Sequence, residues 1–353
     1  MAPIFDQAVD AVVDTAFDGP AGHWGGNTPT YRSVQAALDA APAVGAYRIG
    51  IRRGIYTEKL LIERPDVTLI GEDRDTTVLR FGAASGHLGP GGRRWTTWGC
   101  ATVIVRARNF SARRLSIENS FDYPANQVKD VSDPSRLADP QAVALMIDTG
   151  ADRTLLRQVS LRGYQDTLFV NAGRSCFDQV EISGHIDFIF GAGTAMFRQC
   201  DIVCRARPDC MPMGWITAPS TDTGQAHGLL FVQCRLLREA TVPDGAFALG
   251  RPWHPTTQFA DGRYADPHAI GQAIFVDCWM DAHIAAQGWD RMHGTAPDGG
   301  RMYFQPEDAR FFEYHSAGPG ARQHARRRQS GPTEQAVRDP ASILGDWRPL
   351  RPR

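Results

Sequence analysis

Short alternations of apolar and polar residues recur along the chain and set its predicted secondary structure. In each copy an apolar, a polar and an apolar residue follow one another, as in a strand that buries one face. The copies are Leu115–Ile117, Val159–Leu161, Val180–Ile182, Cys200–Ile202, Cys234–Leu236 and Cys278–Met280. The pattern therefore predicts many short strands, each with one face turned inward.

The central copies are evenly spaced. Val180 follows Val159 by 21 residues (180 − 159), and Cys200 follows Val180 by 20 (200 − 180). A fixed period of about 20 residues built from short strands is typical of a solenoid. Helical periodicity between the strands is weak, so a helical repeat or a doubly wound sheet fits less well. We predict an all-β parallel β-helix whose coils bury their inner faces against one another.

Two aspartates occupy the same place in consecutive repeats. Asp166 and Asp187 each lie seven residues after the valine that marks their repeat. In a stack of coils, equivalent residues are one strand spacing apart, roughly 4.8 Å. Two carboxylates at that distance titrate as a unit, so one is held protonated beside an ionised partner. The pair predicts an acid next to a base or nucleophile; the alternative is two turn aspartates that bind backbone amides.

The composition fits one long solenoid. The chain has 353 residues, is 42% hydrophobic and carries 35 glycines, which suits a single domain over residues 1–353 with many turns. Its formal net charge of −1 gives no general attraction to nucleic acid or to a membrane surface. No run of about 18 apolar residues is present, so no membrane-spanning helix is expected. Nothing in the sequence indicates more than a monomer.

The cysteines are best explained as core residues. Cys200, Cys234 and Cys278 fill the inward position that valine fills in other repeats, so we expect small buried side chains. Cys204 and Cys210 lie close to Cys200, but no histidine pattern accompanies them and a metal site is disfavoured. A disulfide that involves Cys204 or Cys210 stays open.

The two ends of the chain carry predicted helices. The stretch 27–42 contains Tyr31–Ala41, whose amphipathic pattern predicts a helix that Pro42 ends. Such a helix would cap the open end of the solenoid, where apolar core and strand edges are otherwise exposed. At the other end, Pro340–Leu344 predicts a short helix within a tail of about residues 330–353.

The remaining strands and loops follow from the same alternation. Further strands are predicted at Tyr47–Ile51, Leu60–Ile62, Val67–Ile70, Val78–Phe81, Ala101–Val105, Phe110–Ile117, Gln141–Ile147, Phe231–Leu236 and Ile274–Met280. Three long loops are predicted at Ala83–Trp98, Ser120–Asp139 and Arg205–Ser220, the last of which carries Trp215. Long loops that rise from a solenoid predict a cleft between them.

Polar residues outside the aspartate pair are also candidates for chemistry. Arg251 is followed by Pro252 and Trp253, and a guanidinium beside an indole suits carboxylate pairing and sugar stacking. The alternative is a surface arginine in a tight turn. Gln141 and Gln165 are uncharged donors that suit a developing oxyanion, or else members of a structural amide ladder.

Several motifs together resemble the pectin methylesterases, most closely their bacterial branch. The segments that carry the resemblance are Gly54–Glu58, Gly163–Leu168, Gly184–Gly191, Leu249–Trp253, Ala309–Tyr314 and Gly318–Gly320. They occur in the family's order and span most of the chain. The resemblance implies a single-stranded, right-handed parallel β-helix, and it implies methyl-esterified pectin as the substrate. It implies no metal and no organic cofactor.

The resemblance also implies a role for each residue of the candidate site. Asp187 would be the nucleophile that attacks the methyl ester of a galacturonate unit. Asp166 would protonate the departing methanol and then activate water. Gln141 and Gln165 would stabilise the tetrahedral oxyanion, and Arg251 would pair with Asp187 and keep it ionised, as expected for a carboxylate beside a fixed cation.

Further residues match the family's substrate cleft. Trp253 and Phe190 would contact sugar rings. The other implied substrate contacts are Thr97, Arg207, Trp215, Thr256 and Met292. Trp215 stands where the family pattern has tyrosine, and this difference affects which substrate group that subsite prefers.

The cellular compartment and the substrate are both open to alternative interpretations. The family is usually secreted, yet residues 1–20 lack the basic start and continuous apolar run of a signal peptide. One alternative is therefore an esterase or thioesterase of the same fold that acts on another substrate. Another is a glycoside hydrolase, because carboxyl groups roughly 5–5.5 Å apart also suit retaining glycosidases. A third is a solenoid that binds polysaccharide without catalysis.

Overall fold

The computed structural model describes residues 5, 7–24, 28–208, 210–328 and 339–350. The strands of the first part are β1 (Ala11–Val13), β2 (His23–Trp24), β3 (Pro29–Tyr31), β4 (Tyr47–Ile51), β5 (Gly54–Thr57), β6 (Leu60–Ile62), β7 (Val67–Gly71), β8 (Thr77–Phe81), β9 (Val103–Val105), β10 (Ser111–Arg113) and β11 (Ser116–Asn119). Those of the central part are β12 (Leu145–Ile147), β13 (Thr154–Arg157), β14 (Ser160–Arg162), β15 (Leu168–Val170), β16 (Arg174–Asp178), β17 (Glu181–Gly184), β18 (Ile186–Gly191), β19 (Thr194–Arg198), β20 (Asp201–Cys204) and β21 (Gly214–Pro219).

The last part of the chain continues the same pattern. Its strands are β22 (Leu229–Val232), β23 (Arg235–Arg238), β24 (Phe247–Gly250), β25 (Thr256–Phe259), β26 (Gly262–Ala265), β27 (Gln272–Val276), β28 (Trp279–Met280), β29 (Met292–Thr295), β30 (Arg301–Phe304) and β31 (Arg310–Tyr314). The α-helices are α1 (Val34–Asp39), α2 (Thr96–Gly99), α3 (Tyr123–Gln127) and α4 (Pro340–Leu344), and single 3-10 turns lie at Pro90–Gly92 and Pro306–Asp308.

Three large sheets run along the molecule, and the strands of each coil are distributed among them. Consecutive strands enter different sheets, so that β16, β17 and β18 belong to one coil and β19, β20 and β21 to the next. Within a sheet each strand pairs in parallel with its counterpart one coil away; β16 pairs with β19, β17 with β20 and β18 with β21. This arrangement confirms the predicted parallel β-helix.

Stacked side chains fill the interior. Phe177, Phe197, Phe231 and Phe275 are fully buried and lie on successive strands of one sheet, with ring centroids 4.6, 4.4 and 4.5 Å apart. The prediction of small buried side chains at Cys200, Cys234 and Cys278 is confirmed, because each is at most 1% exposed. All seven cysteines are free thiols, so the possible disulfide at Cys204 or Cys210 is not formed.

The N-terminal helix is shorter than the sequence predicts. Tyr31 lies on strand β3, and α1 begins only after Ser33, whose side chain accepts a hydrogen bond from the Ala36 N–H at 3.2 Å. The carboxylate of Glu58 accepts the next free N–H groups at the helix start, those of Val34 and Gln35. This local capping explains why the helix starts late. Residue 27 of the predicted stretch lies outside the described residues.

Strands predicted as single runs are in fact broken where the coil turns a corner. Phe110–Ile117 is divided at Arg114, Phe231–Leu236 at Gln233 and Ile274–Met280 at Asp277, and the φ angles of these three residues are 55°, 54° and 53°. A residue in the left-handed region redirects the chain into the next sheet. Apolar alternation continues across the corner, so the sequence pattern did not reveal the break.

The predicted loops contain some regular structure. The prediction that Arg205–Ser220 is entirely a loop is wrong, because Gly214–Pro219 forms β21 and places Trp215 on a strand. Its Thr and Pro obscured the alternation, although the strand is largely buried. The loops Ala83–Trp98 and Ser120–Asp139 contain α2 and α3.

At the C-terminal end, α4 confirms the predicted helix at Pro340–Leu344. Residues 330–338 and 351–353 of the predicted tail lie outside the described residues. None of the helices in the described ranges is both long and apolar enough to cross a membrane.

Candidate active site

The two repeat aspartates lie at equivalent positions of neighbouring coils. Asp166 precedes Leu168 of β15 by two residues, Asp187 precedes Ile189 of β18 by two, and Leu168 pairs with Ile189. The Asp166 N–H donates a hydrogen bond to the carbonyl oxygen of Ile186 at 3.0 Å. The period of the sequence therefore brings the two carboxylates to one site.

Both aspartates have an unusual backbone conformation. Their φ angles are 65° for Asp166 and 49° for Asp187, in the left-handed region that residues other than glycine seldom adopt. The pairing of β18 with β21 is also irregular between Ile186 and Ile189, on either side of Asp187. The same left-handed conformation occurs at corners of the coil such as Arg114 and Gln233, so it redirects the chain here too, at a cost of about 1–3 kcal/mol for each residue.

Asp166 has the environment of an acid that keeps its proton. Asp166 is only 8% exposed. Burial raises the pKa of its carboxyl well above the ordinary value of 3.8, and the negative charge of Asp187 raises this pKa further. The cation of Arg251 opposes both effects without cancelling them. The Asp166 carboxyl therefore stays protonated at a pH where ordinary aspartates are ionised.

Asp187 is held in an ion pair by Arg251. Nε of Arg251 donates to Oδ1 of Asp187 at 2.8 Å, and Nη2 donates to Oδ2 at 2.6 Å. Burial lowers the pKa of the guanidinium, but the charge and the hydrogen bonds of the Asp187 carboxylate, together with the charge of Asp290, raise this pKa overall. This two-point contact fixes the carboxylate plane and stabilises its charge.

The turn after β24 brings Arg251 to this position. The Arg251 N–H donates to the carbonyl oxygen of Thr217 on β21 at 3.0 Å. Gly250 lies against the same residue, and a Cβ atom there would come within 2.0 Å of Oγ1 of Thr217. The close approach of the two coils therefore requires glycine immediately before the arginine.

Gln141 and Gln165 lie beside the aspartates on adjacent coils. Gln165 directly precedes Asp166, and its carbonyl oxygen accepts a hydrogen bond from the Ala142 N–H at 3.1 Å. The side-chain oxygen of Gln141 is buried, with no hydrogen-bond partner among the described residues. A buried amide of this kind has hydrogen-bonding capacity to offer a ligand.

Aromatic rings form a wall beside the carboxylates. Phe169 and Phe190 stack in parallel with centroids 4.3 Å apart. The ring of Trp253 meets Phe190 edge to face at 5.6 Å, and Trp98 meets Phe169 in the same way at 4.9 Å. Trp98 is 50% exposed, so part of its ring is free for a ligand. A wall of this kind suits the apolar faces of sugar rings.

Two members of this wall were missed by sequence reasoning. Phe169 was visible as the repeat equivalent of Phe190, but only Phe190 was assigned to the cleft. Trp98 is the neighbour of the predicted contact Thr97 on α2, and its only sequence signal was the aromatic character of that loop.

Two predicted substrate contacts lie on hairpins. Thr256 begins β25 and Met292 begins β29, and each of these strands forms an antiparallel hairpin with the strand that follows it. Between the hairpins lies a groove of about 450 Å³, whose lining includes Trp253 and Thr256. The groove therefore adjoins the aromatic wall at Trp253.

Arg207 lies by a different group of residues. Burial lowers the pKa of His185 well below 6.5, and the charge of Arg207 lowers this pKa further. His185 is fully buried, accepts the Ile186 N–H at 2.8 Å through Nδ1, and meets the Tyr123 ring edge to face at 4.2 Å. No described residue accepts a hydrogen bond from Nε of Arg207.

The last predicted contact, Trp215, lies beneath the ion pair. The guanidinium carbon of Arg251 is 3.6 Å from the centroid of the Trp215 ring. The indole N–H of Trp215 donates to Oδ2 of Asp290 at 3.0 Å. Sequence reasoning missed Asp290, which is 75 residues away from Trp215 and belongs to none of the motifs.

Comparisons with known proteins all point to one family. The pectinesterase family model matches residues 25–342. Pectinesterase A of Dickeya chrysanthemi is 45% identical over 328 residues, which cover 92% of this chain and 89% of that protein. The structure is similar to that of a pectin methylesterase from Erwinia chrysanthemi, with a TM-score of 0.92, 44% identity, and coverage of 98% of this chain and 100% of that one.

Further solved structures agree. A pectin methylesterase from Yersinia enterocolitica is 48% identical with a TM-score of 0.87, and the match covers 90% of this chain and 99% of that one. A crystal structure of a pectin methylesterase in complex with a hexasaccharide matches with a TM-score of 0.92 and 44% identity, over 98% of this chain and 100% of that one.

Proposed function

We propose that this chain, which belongs to the pectinesterase family, hydrolyses the methyl esters of galacturonate units in pectin and releases methanol. One observation carries the assignment of roles within the site. A buried carboxyl with a raised pKa, Asp166, neighbours a carboxylate that is fixed by an arginine, Asp187. Two carboxyl groups in opposite protonation states supply an acid and a nucleophile at the same pH.

In the first half of the proposed reaction, the ester is transferred to the enzyme. An oxygen of the Asp187 carboxylate attacks the ester carbonyl carbon, and the side-chain amides of Gln141 and Gln165 stabilise the oxyanion that forms. The bond between that carbon and the methoxy oxygen then breaks. The methoxy oxygen takes the proton of Asp166, so methanol leaves and an anhydride joins the galacturonate to Asp187.

In the second half, water restores the enzyme. The Asp166 carboxylate, now ionised, takes a proton from a water molecule while the water oxygen attacks the same acyl carbon. The second tetrahedral intermediate collapses and releases the carboxylate of Asp187, and the galacturonic acid loses its proton to the solvent. Asp166 has regained the proton that it gave to methanol, so the cycle closes.

The aromatic wall supports a sugar polymer as the substrate. Trp98 and Trp253 are partly exposed and offer ring surface to a sugar, whereas Phe190 is only 3% exposed and packs against Trp253. The implied contacts Thr97, Arg207, Thr256 and Met292 remain part of the proposal. Because a polysaccharide of this kind cannot enter a cell intact, we also propose that the protein acts outside the cell. We further propose that it does so as a monomer with a single domain.

The proposal is tested by two product assays on highly methylated pectin. Methanol release and new reducing ends are measured for the wild-type protein and for Asp187→Asn. The matched control is Asp201→Asn, which removes a carboxylate from another two-point arginine contact, that of Arg235 on β23. We expect methanol without new reducing ends, loss of release in Asp187→Asn, and wild-type release in Asp201→Asn.

The other outcomes each contradict the proposal in a defined way. New reducing ends in proportion to turnover would identify a glycoside hydrolase. Binding of pectin with no product would identify a polysaccharide-binding solenoid. Absence of both binding and release would direct the search to other esters and to thioesters. Release that persists in Asp187→Asn would remove Asp187 from the role of nucleophile.

A further inference from the structure

We propose that Trp215 and Asp290 are positioning residues that hold the guanidinium of Arg251 in its two-point contact with Asp187. The inference rests on the proposed function, in which Asp187 is the nucleophile. It assigns Trp215 a role different from the sugar contact that family resemblance implies, and it adds Asp290, which no motif includes.

The contacts form a continuous series from Asp290 to the nucleophile. Oδ2 of Asp290 accepts the indole N–H of Trp215 at 3.0 Å. The face of the indole lies 3.6 Å from the guanidinium carbon of Arg251, a close cation–π distance. The guanidinium then meets both oxygens of Asp187. Each group in the series touches the next directly.

The ring of Trp215 limits the freedom of the arginine. An arginine side chain has several rotatable bonds, and a two-point contact forms only when its guanidinium plane is correctly oriented. A flat indole under that plane removes the competing tilts. The indole is itself oriented, because its only polar atom is bound to Asp290.

Asp290 is anchored to the same turn that carries Arg251. Its backbone N–H donates to the carbonyl oxygen of Gly250 at 3.0 Å, so it is tied to the residue immediately before Arg251. Its second carboxylate oxygen accepts the N–H of Arg291 at 2.8 Å. Burial lowers the pKa of Arg251, and the negative charge of Asp290 helps to raise it, after the larger contribution of Asp187. Asp290 therefore acts on the guanidinium by charge as well as through Trp215.

The position of Trp215 disfavours a sugar-binding role. The face of its ring that Arg251 covers is closed to a sugar, and its only polar atom already has a partner. The aromatic rings of the cleft that are open to a ligand are those of Trp98, which is 50% exposed, and Trp253, which is partly exposed.

Kinetics of four variants test the inference. Trp215→Leu removes the ring face, Trp215→Phe keeps a face but loses the N–H, Asp290→Ala removes the acceptor, and Asp290→Asn keeps an acceptor without the charge. The control is Asp201→Asn, which removes a carboxylate that pairs with Arg235 far from this turn along the chain. Methanol release is measured over a range of pH, so that kcat, KM and the acidic limb of kcat/KM are obtained separately.

We expect kcat to fall by about tenfold in Trp215→Leu and by about threefold in Trp215→Phe and Asp290→Ala, with KM changed less than about twofold. The acidic limb of kcat/KM should move to higher pH in Trp215→Leu and Asp290→Ala, because a loosely held guanidinium stabilises the ionised nucleophile less well. Asp290→Asn should restore most of the rate that Asp290→Ala loses, and Asp201→Asn should behave as the wild type.

A raised KM with unchanged kcat in Trp215→Leu would show a sugar contact and overturn the inference. Equal loss in Asp290→Ala and Asp290→Asn with an unmoved acidic limb would also overturn it, since that is the result of general loosening. If Trp215→Leu does not fold, the two Asp290 variants decide the matter. A wild-type protein that releases no methanol would instead refute the proposed function, so the two failures are distinguishable.

Discussion

The guanidinium of Arg251 donates hydrogen bonds to both carboxylate oxygens of Asp187, at 2.8 and 2.6 Å, although Asp187 lies 64 residues earlier in the chain. Both partners are largely buried, with side chains 16% and 10% exposed. A pair so far from water is screened little by salt, and removal of one partner would leave an uncompensated charge. The arrangement suits a nucleophile that has to remain ionised beside a protonated neighbour.

Arg251→Lys should retain the positive charge and lose most of the activity. A lysine ammonium is a point charge that cannot reproduce the two-point contact or lie flat on Trp215. We expect kcat for methanol release to fall by about 10²–10³-fold, the range seen when one stabilising group is removed from an active site. The control is Arg235→Lys, which alters the two-point contact with Asp201 and should leave kcat unchanged. Wild-type kcat in Arg251→Lys would show that charge alone suffices.

Asp166→Asn should stabilise the protein while it abolishes turnover. Because the pKa of Asp166 is raised in the folded state, its contribution to stability is complete below about pH 3.8 and is lost as the pH rises through the folded-state pKa. The amide keeps the shape and removes this loss. The Tm of the variant minus that of the wild type should therefore grow from about pH 4 to about pH 7, and exceed about 2 °C at neutral pH.

Calorimetry of Asp166→Asn and wild type at several pH values checks this expectation. Asp201→Asn serves as the control for the loss of an aspartate outside the site. A Tm difference that stays constant or shrinks as the pH rises would show that Asp166 does not carry a raised pKa.

His283 should make the folded state sensitive to acid. It is fully buried, and neither ring nitrogen has a hydrogen-bond partner among the described residues. Burial lowers its pKa from 6.5 to about 4. As the pH falls, the unfolded chain therefore binds a proton at this histidine before the folded protein does. The stability that is present above pH 6.5 is lost as the pH falls from 6.5 through about 4. The loss attributable to this residue is at most about 3 kcal/mol.

His283→Leu should flatten the dependence of unfolding free energy on pH between about 7 and about 4. Urea unfolding at fixed pH values measures it, and His268→Leu, on an exposed histidine, is the control. A wild-type slope in His283→Leu would contradict the prediction, whatever the variant's stability at neutral pH.

Trp98→Ala should weaken substrate binding more than catalysis. The ring is half exposed and meets Phe169 edge to face, so it can cover a sugar without touching the carboxylates. We expect KM for methylated pectin to rise about fivefold to tenfold while kcat changes less than about twofold. The control is Trp279→Ala, because Trp279 is 40% exposed on β28. An unchanged KM in Trp98→Ala would remove Trp98 from the cleft.

Much of the fold could be predicted because the apolar–polar pattern of a solenoid recurs in each coil. The 21-residue interval from Asp166 to Asp187 is the interval between paired strands, so the period alone placed the two carboxylates together. The corners were not predictable in the same way. Residues such as Arg114 and Gln233 adopt positive φ without a glycine to mark them, and apolar alternation runs through the turn.

The missing parts of the site depend on contacts between distant segments. Trp215 was predicted as a loop residue and a sugar contact, yet it lies on β21 under Arg251. Asp290 reaches it across 75 residues, and a single aspartate outside the repeat carries no signal of its own. Local patterns report which residues share a strand face, whereas packing between coils and loops decides which of them meet.

The proposed mechanism requires that Asp166 is protonated while Asp187 is ionised in the same site. Infrared difference spectroscopy on the wild type, Asp166→Asn and Asp187→Asn at about pH 5 tests it most directly, since ordinary aspartates are ionised there. We expect a protonated-carboxyl band in the wild type that is lost in Asp166→Asn. The band should persist in Asp187→Asn and titrate at lower pH, because burial remains and only the neighbouring charge is removed. A band that vanishes in Asp187→Asn but survives in Asp166→Asn, or no band in the wild type, would contradict the account.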